Sequence, residues 1–224
     1  MPTKNSSLIV TAHPDDETIF FTGLILSRPT TRWTIICVTN GNADGSGKKR
    51  LEDFKNACQQ LGVENFQCLN HPDIFEKRIN TNQLIESLKT LEFDEVFTHG
   101  PIGEYGHPHH QDVSYACHTA FLKKSSVYSI SYNSCPDFTV SLSPEHWNIK
   151  AKILTSTYFS ETQRFFQFLP VTFSEGFLKV EYNEVQELYH HFANKTSLDI
   201  NKLHRYKSIF PYLKNNNFFE SRPF

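Results

Sequence analysis

Apolar residues follow two alternating rhythms from the start of the chain to about residue 130. Leu8–Ala12 and Trp33–Thr39 are short, contiguous apolar runs, the second rich in β-branched residues, and they read as buried strands. Thr18–Ser27 reads as a helix. In 48–61, Leu51, Phe54, Cys58 and Leu61 recur at spacings of three and four, which predicts an amphipathic helix stopped by Gly62. Asn65–Leu69 is a further strand, and Leu84, Ile85, Leu88 and Leu91 mark a helix. Glu95–His99 reads as a strand, 110–122 as a helix with Val113, Ala116, Ala120 and Phe121 inward, and Ser126–Ser131 as a fifth strand.

Strand–helix alternation with strands buried on both faces predicts an α/β fold, a Rossmann-like three-layer α/β/α arrangement with a mostly parallel sheet. Ligands of such sheets bind outside the carboxyl ends of the strands. The segments 13–17, 40–47 and 99–109 follow the first, second and fourth strands, so they are expected on one rim, with specificity set by rim loops 43–48, 70–80 and 133–143. After residue 132 the alternation fades. Trp147, Ala151, Leu154 and Tyr158 predict one long helix with Pro144 near its start, and 165–180 is Phe-rich and strand-like around Gly176. Without a linker, repeat or low-complexity tract, 133–224 is expected to be a C-terminal extension packed on a core of 1–132, the whole of 1–224 making one domain.

Composition narrows the function. With 22 Lys and Arg against 24 Asp and Glu, the net charge is −2, which gives no electrostatic footprint for nucleic acid or an anionic membrane. No apolar run approaches the ~20 residues of a membrane span, and Met1–Ser7 is too polar for a signal peptide, so a cytoplasmic protein is expected. The five cysteines (Cys37, Cys58, Cys68, Cys117, Cys135) include no C-x-x-C pair and read as reduced thiols. The eleven histidines change the picture, because His99, His107, His109 and His110 cluster closely.

Two groups carry chemistry. His13-Pro14-Asp15-Asp16-Glu17 lies where a strand gives way to a helix, and so does Gly106-His107-Pro108-His109-His110-Gln111-Asp112. Each alone has a plain explanation, an Asp helix cap in the first and a solvated loop in the second. On one rim they favour a metal. Imidazole and carboxylate suit zinc, and catalytic zinc keeps three protein ligands and an open position for water. His13, Asp16 and one histidine of the second cluster make a His2Asp set, with Asp15 left as a base. Iron or manganese fits the same ligands.

These residues also match a family. Ala12-His13-Pro14-Asp15-Asp16-Glu17 resembles the A-H-P-D-D-E signature of the PIG-L/LmbE-type N-acetylglucosaminyl deacetylases, and Gly106-His107-Pro108-His109-His110 resembles their G-H-x-x-H element. Thr39–Gly45, then Arg50, Cys58 and Leu61-Gly62, is similar to their S-x-G-N stretch and following helix, and His71-Pro72-Asp73 to the segment before their third helix. The likeness is firm over 8–120 and looser over 145–180, where Lys150, Tyr158-Phe159-Ser160 and Glu175 are similar to a late helix and an acidic strand. The resemblance implies zinc ligands His13, Asp16 and His110. It implies Asp15 as general base, His107 as oxyanion partner or proton donor to the leaving amine, and Arg50 as a substrate contact. Two positions depart from the family: His109 stands for an Asp between the two histidines, and Asp53-Phe54 for Glu-Leu.

Asn42, His71 and Tyr105 are candidate substrate contacts, with turn formation the competing role for Asn42 and a lid or sugar-stacking face the role open to Tyr105. His99 is a candidate partner of a metal ligand. The activity implied is removal of the acetyl group from an N-acetylated amino sugar, with a small sugar-containing substrate. A zinc amidase of the same family acting on a bulkier amide, and a catalytically idle metal- or sugar-binding module, are the alternatives. Phe165, Phe166, Phe168, Phe173 and Phe177 are expected as core or as the interface of a homo-oligomer, and Phe218, Phe219 and Phe224 as a partner contact.

Overall fold

A computed structural model describes residues 6–74, 77–163 and 173–210. The predicted alternation is realised as β1 (Ser6–Thr11), α1 (Asp16–Ser27), β2 (Arg32–Thr39), α2 (Gly47–Gln60), β3 (Asn65–His71), α3 (Thr81–Leu88), β4 (Glu95–Thr98), α4 (Pro108–Ala120) and β5 (Ser126–Ile130). These five strands pair in parallel, β3 beside β2, β1, β4 and β5. Side chains alternate across the sheet. Ile9, Ile35, Cys37 and Phe97 pack with α1 and α2 on one face, and Leu8, Val10, Ile36 and Val38 pack with α3 and α4 on the other. Both faces are covered, so this is the expected three-layer α/β/α arrangement.

The rest of the chain adds β6 (Phe138–Ser141), α5 (Pro144–Lys152), a π-helical turn (Ile153–Thr157), α6 (Phe159–Thr162), β7 (Ser174–Leu178), α7 (Tyr182–Asn194) and a short 3-10 turn (Ile200–Lys202). β7 pairs antiparallel with β5, and β6 antiparallel with β7, so the sheet has seven strands in the order β3-β2-β1-β4-β5-β7-β6. Among the described residues, no helix is long and apolar enough to cross a membrane.

Two expectations for this part need correction, and one helix has no counterpart among them. Residues 133–143 are not all rim loop, because β6 pairs along β7 there. The long helix predicted through Trp147 and Tyr158 leaves α-helical geometry after Lys152, widens into the π turn, and breaks at Tyr158 (φ −94, ψ 18). This break sets the fully buried Tyr158 so that its hydroxyl donates to Glu17 Oε1 at 2.8 Å. α7 was not foreseen, because Val185 and Leu188 are its two buried positions and give a thin stripe. The strand-like reading around Gly176 holds for 174–178. Phe177 is core, stacked on Phe21 and Phe138, whereas Phe173 is exposed and stacks on Trp147. Phe165, Phe166, Phe168, Phe218, Phe219 and Phe224 lie outside the described residues.

Candidate metal centre

Strand register brings the candidate residues together. Val10 is level with Thr98, Thr11 with Cys37, and Thr39 with His71, so the segments after β1, β2, β3 and β4 leave from one rim. After β1, the Ala12 N–H donates to His99 Nε2 at 2.9 Å. The turn into α1 is held by acids of its own first turn: Asp16 Oδ2 accepts from His13 N at 2.8 Å, and Glu17 Oε2 from Asp15 N at 3.1 Å. Carboxylates at this helix end also suit its dipole. Asp15 itself has φ 115, a backbone state that costs a non-glycine residue ~1–3 kcal/mol. Arg50 secures that turn. Its Nη2 donates to the Pro14 carbonyl at 2.9 Å and lies 3.4 Å from Asp15 Oδ2.

The second cluster enters through the loop between β4 and α4. Gly103 (φ 70) and Gly106 (φ 93) bend it with Glu104 (φ 54) between them, and Pro108 opens α4. His107 occupies the helix cap, its Nδ1 accepting from His109 N at 3.2 Å. His107 and His110 are stacked at 4.6 Å between centroids, and His107 meets His13 edge-on at 4.7 Å.

Proton positions decide which atoms remain for a metal. Glu104 Oε2 lies 2.5 Å from His110 Nδ1 and 3.1 Å from His99 Nδ1, and Glu104 Oε1 accepts from Gly100 N at 2.6 Å. Burial alone would raise the Glu104 carboxyl, but His99 and His110 hold it down to about 2. As a carboxylate it only accepts, so both imidazoles carry their proton on Nδ1. Glu104 and Asp16 pull the pKa of His99 upward, yet the Ala12 amide donating into its Nε2 keeps that nitrogen unprotonated. Burial and the neighbouring His99 hold His110 below its ordinary value, so with its proton on Nδ1 its Nε2 is a bare acceptor. On the other side, His109 Nε2 lies 2.7 Å from the Lys77 carbonyl and His109 Nδ1 lies 3.0 Å from His13 Nε2. Burial and the neighbouring His13 push His109 down to about 4, so it is neutral at pH 7. Its proton goes to Lys77, its Nδ1 accepts from His13 Nε2, and His13 Nδ1 is left as an acceptor.

Three acceptors thus face one another with no proton between them. His13 Nδ1 is 3.2 Å from His110 Nε2 and 3.5 Å from Asp16 Oδ2, and His110 Nε2 is 3.6 Å from Asp16 Oδ1. Burial would raise the Asp16 carboxyl, but His110, His99 and the contact with His13 hold it well below its ordinary range. Ligands ~2.0–2.1 Å from a tetrahedral zinc stand roughly 3.3 Å apart. The donor set therefore fits zinc in both chemistry and spacing. Two other groupings, His13/His107/His109 with His107 half-buried and the buried His99/Glu104/His110, have similar spacing. In the first, His13 Nε2 and His109 Nδ1 are joined by a hydrogen bond, and in the second Glu104 is joined to both histidines, so neither offers a free triad of lone pairs.

The other predicted residues take distinct places. Burial pushes the Asp15 carboxyl upward against the pull of Arg50. Burial, with His110, His13 and His109 nearby, holds His107 well below its ordinary value. Tyr105, partly exposed, brings its ring within 6.0 Å of His107 and 5.5 Å of His110. Asn42 stays outside the cluster: it is exposed, and its side-chain oxygen accepts from Gly47 N at 3.0 Å, the turn role. His71 ends β3 on the same rim, its carbonyl accepting from Asn40 N. Glu104 escaped the sequence reading, its one signal being an acid between two glycines just before the histidine loop. Asp73, Glu161 and Tyr158 were also missed as site neighbours. Asp73 Oδ1 lies 3.5 Å from His109 Nδ1, and Glu161 Oε2 lies 3.5 Å from Arg50 Nε.

A doubly wound α/β sheet carrying a His/Asp donor set at its carboxyl rim defines the class. Within it, residues 8–121 match the family model described as PIG-L, GlcNAc-PI de-N-acetylase, and the chain belongs to that family. The chain is 28% identical over 148 residues to an uncharacterized protein, L374, of Acanthamoeba polyphaga mimivirus, covering 58% of this chain and 64% of that one. It is 31% identical over 122 residues to a probable N-acetylglucosaminyl-phosphatidylinositol de-N-acetylase of Dictyostelium discoideum, covering 50% of this chain and 47% of the relative. The chain thus spans about half to under two thirds of the length of these relatives. Among solved structures, N,N'-diacetylchitobiose deacetylase from Pyrococcus horikoshii shares the fold, with TM-score 0.64, 20% identity, and coverage of 80% of this chain and 85% of that one.

Proposed function

We propose that this protein is a zinc-dependent hydrolase that removes the acetyl group from an N-acetylated, N-acetylglucosamine-type amino sugar. The observation that carries this is the buried triad of His13 Nδ1, His110 Nε2 and Asp16, 3.2–3.6 Å apart, beside a strained Asp15. The family's description and the names of the relatives point to the same bond. Amide hydrolysis needs a nucleophile stronger than neutral water and a partner for the oxyanion. Zinc held by His13, Asp16 and His110 would lower the pKa of its water to about 7 and polarise the acetyl carbonyl.

The chain's own residues do the rest. Asp15, its carboxyl raised by burial and oriented by Arg50, accepts the proton of the attacking water. His107 is neutral and its Nδ1 is occupied by the His109 amide, so its proton is on Nε2, where it donates to the developing oxyanion. Asp15 then hands its proton to the departing nitrogen, and acetate and a free amine leave. Tyr105 offers a partly exposed ring beside His107 for a sugar face.

The test is acetate release from a panel holding N-acetylglucosamine, its phosphatidylinositol and inositol glycosides, and diacetylchitobiose, with and without chelator. Release that stops with chelator and returns with zinc is expected. Asp15→Asn should retain zinc and lose turnover by about two or more orders of magnitude, the worth of a general base. Absence of acetate across the panel, or near-normal turnover in Asp15→Asn, refutes the proposal.

A further inference from the structure

We infer that His109 is a positioning residue that fixes His13 as a metal ligand through a two-proton relay anchored on the Lys77 carbonyl. The inference rests on the metal reading above and extends it to a residue that departs from the family pattern. The relay runs in one direction. The Lys77 carbonyl can only accept, so at 2.7 Å it takes the Nε2 proton of His109. Nδ1 of that ring is then an acceptor aimed at His13 Nε2, 3.0 Å away. Were His13 protonated on Nδ1 instead, two lone pairs would face each other across that 3.0 Å contact, and a proton would sit in the donor triad. The relay excludes that tautomer.

The two histidine ligands are thus oriented by different chemistry. His110 donates its Nδ1–H to the carboxylate of Glu104. His13 donates its Nε2–H to a neutral imidazole, itself held by a backbone carbonyl of the segment between β3 and α3. An aspartate at 109 would accept from His13 but would have no N–H for Lys77. Histidine does both, so it ties this rim segment to the metal ligand. His109 is 1% exposed, consistent with a fixed ring. Asp73 Oδ1 lies 3.8 Å from His13 Nε2, beyond hydrogen-bond reach, so it does not replace the imidazole as acceptor.

The experiment compares wild type, His109→Phe and His109→Asn. Phenylalanine keeps a ring without an acceptor, and asparagine returns an acceptor near the Nδ1 position. Zinc affinity is measured by competition with a chromophoric chelator. Ring tautomers are read by 15N NMR of histidine-labelled, metal-free protein. Zinc binding should weaken about 10–100-fold in His109→Phe, and His109→Asn should recover most of it. Metal-free wild type should show His13 protonated on Nε2, and His109→Phe should show a mixture. Equal affinity in wild type and His109→Phe, no recovery in His109→Asn, or an Nδ1-protonated His13 in wild type overturns the relay. The wild-type tautomer decides the matter even if His109→Phe does not fold. A wild type that binds no zinc but has His13 protonated on Nε2 supports the relay and refutes the metal reading alone.

Discussion

Lys150→Met tests whether the C-terminal extension is tied to the site helix by charge. Lys150 is 0% exposed and Glu175 5%, and Lys150 Nζ lies 2.8 Å from Glu175 Oε1. Glu175 also accepts from two amides of α1, Gly23 N at 2.9 Å and Leu24 N at 3.0 Å. The approach is close enough that a Cβ on Gly23 would meet Leu142 at 2.6 Å and Glu175 Oε2 at 3.0 Å. Methionine fills the lysine stem's space, so the cavity cost is small and the electrostatic cost dominates. Removing one member of a buried pair costs about 3–5 kcal/mol. The two amides still solvate the carboxylate, so the loss should fall near the lower end, about 3 kcal/mol. Lys150→Met/Glu175→Gln leaves no charge to bury and should cost less than Lys150→Met alone. Urea unfolding of the single and double variants measures this as a coupling energy. A loss below about 1 kcal/mol in Lys150→Met with an unchanged m-value, or a double variant as costly as the sum of the singles, would refute the reasoning.

Glu104→Gln replaces an all-acceptor carboxylate with an amide whose NH2 must face an imidazole N–H or the Gly100 amide. Zinc affinity should drop about 10–100-fold in chelator competition, and an unchanged constant would remove Glu104 from its role. Zinc itself should stabilise the fold, by about 2.7 kcal/mol at one hundred times its dissociation constant, and a melting temperature indifferent to zinc and to chelator would contradict the site. Burial pushes His118 down from 6.5 to about 4, with its Nδ1 proton given to the Ser114 carbonyl. On acidification the unfolded chain takes up the second ring proton first, so the contribution is full above pH 6.5 and is lost as pH falls towards 4, roughly 3 kcal/mol in all. In His118→Gln, unfolding free energy should vary less between pH 7 and pH 5, and an identical pH slope would rule His118 out.

The parallel half of the fold was legible because its strands are buried on both faces and its helices carry spaced apolar stripes. Leu8 and Val10 face one helix layer while Ile9 faces the other, which is why the run is continuously apolar. The antiparallel edge obeys a different rule. In β6, Phe138 and Val140 turn inward while Thr139 and Ser141 turn out, an alternation too short to stand out among loop residues. The helix through Trp147 and Tyr158 misled because a π turn shifts the register of side chains without interrupting an apolar stripe.

In the candidate site, spacing alone put His13 and Asp16 in one donor set but could not choose among three histidines of the second cluster, because proton positions make that choice. His110 is set by Glu104 behind it, and Glu104 reaches His110 through a turn with three departures to positive φ, at Gly103, Glu104 and Gly106. Neither contact is written in a linear motif. Arg50 illustrates the same limit from the other side. The resemblance implies a substrate contact, and the structure adds contacts within the chain: the guanidinium donates to the Pro14 and Gly41 carbonyls and lies 3.4 Å from Asp15 and 3.5 Å from Glu161. An arginine has five N–H donors in a fixed fork, and most of these are directed at the chain. In the proposed reaction these contacts act on Asp15, holding its positive-φ turn closed and placing a positive charge beside a carboxyl that burial would otherwise raise further.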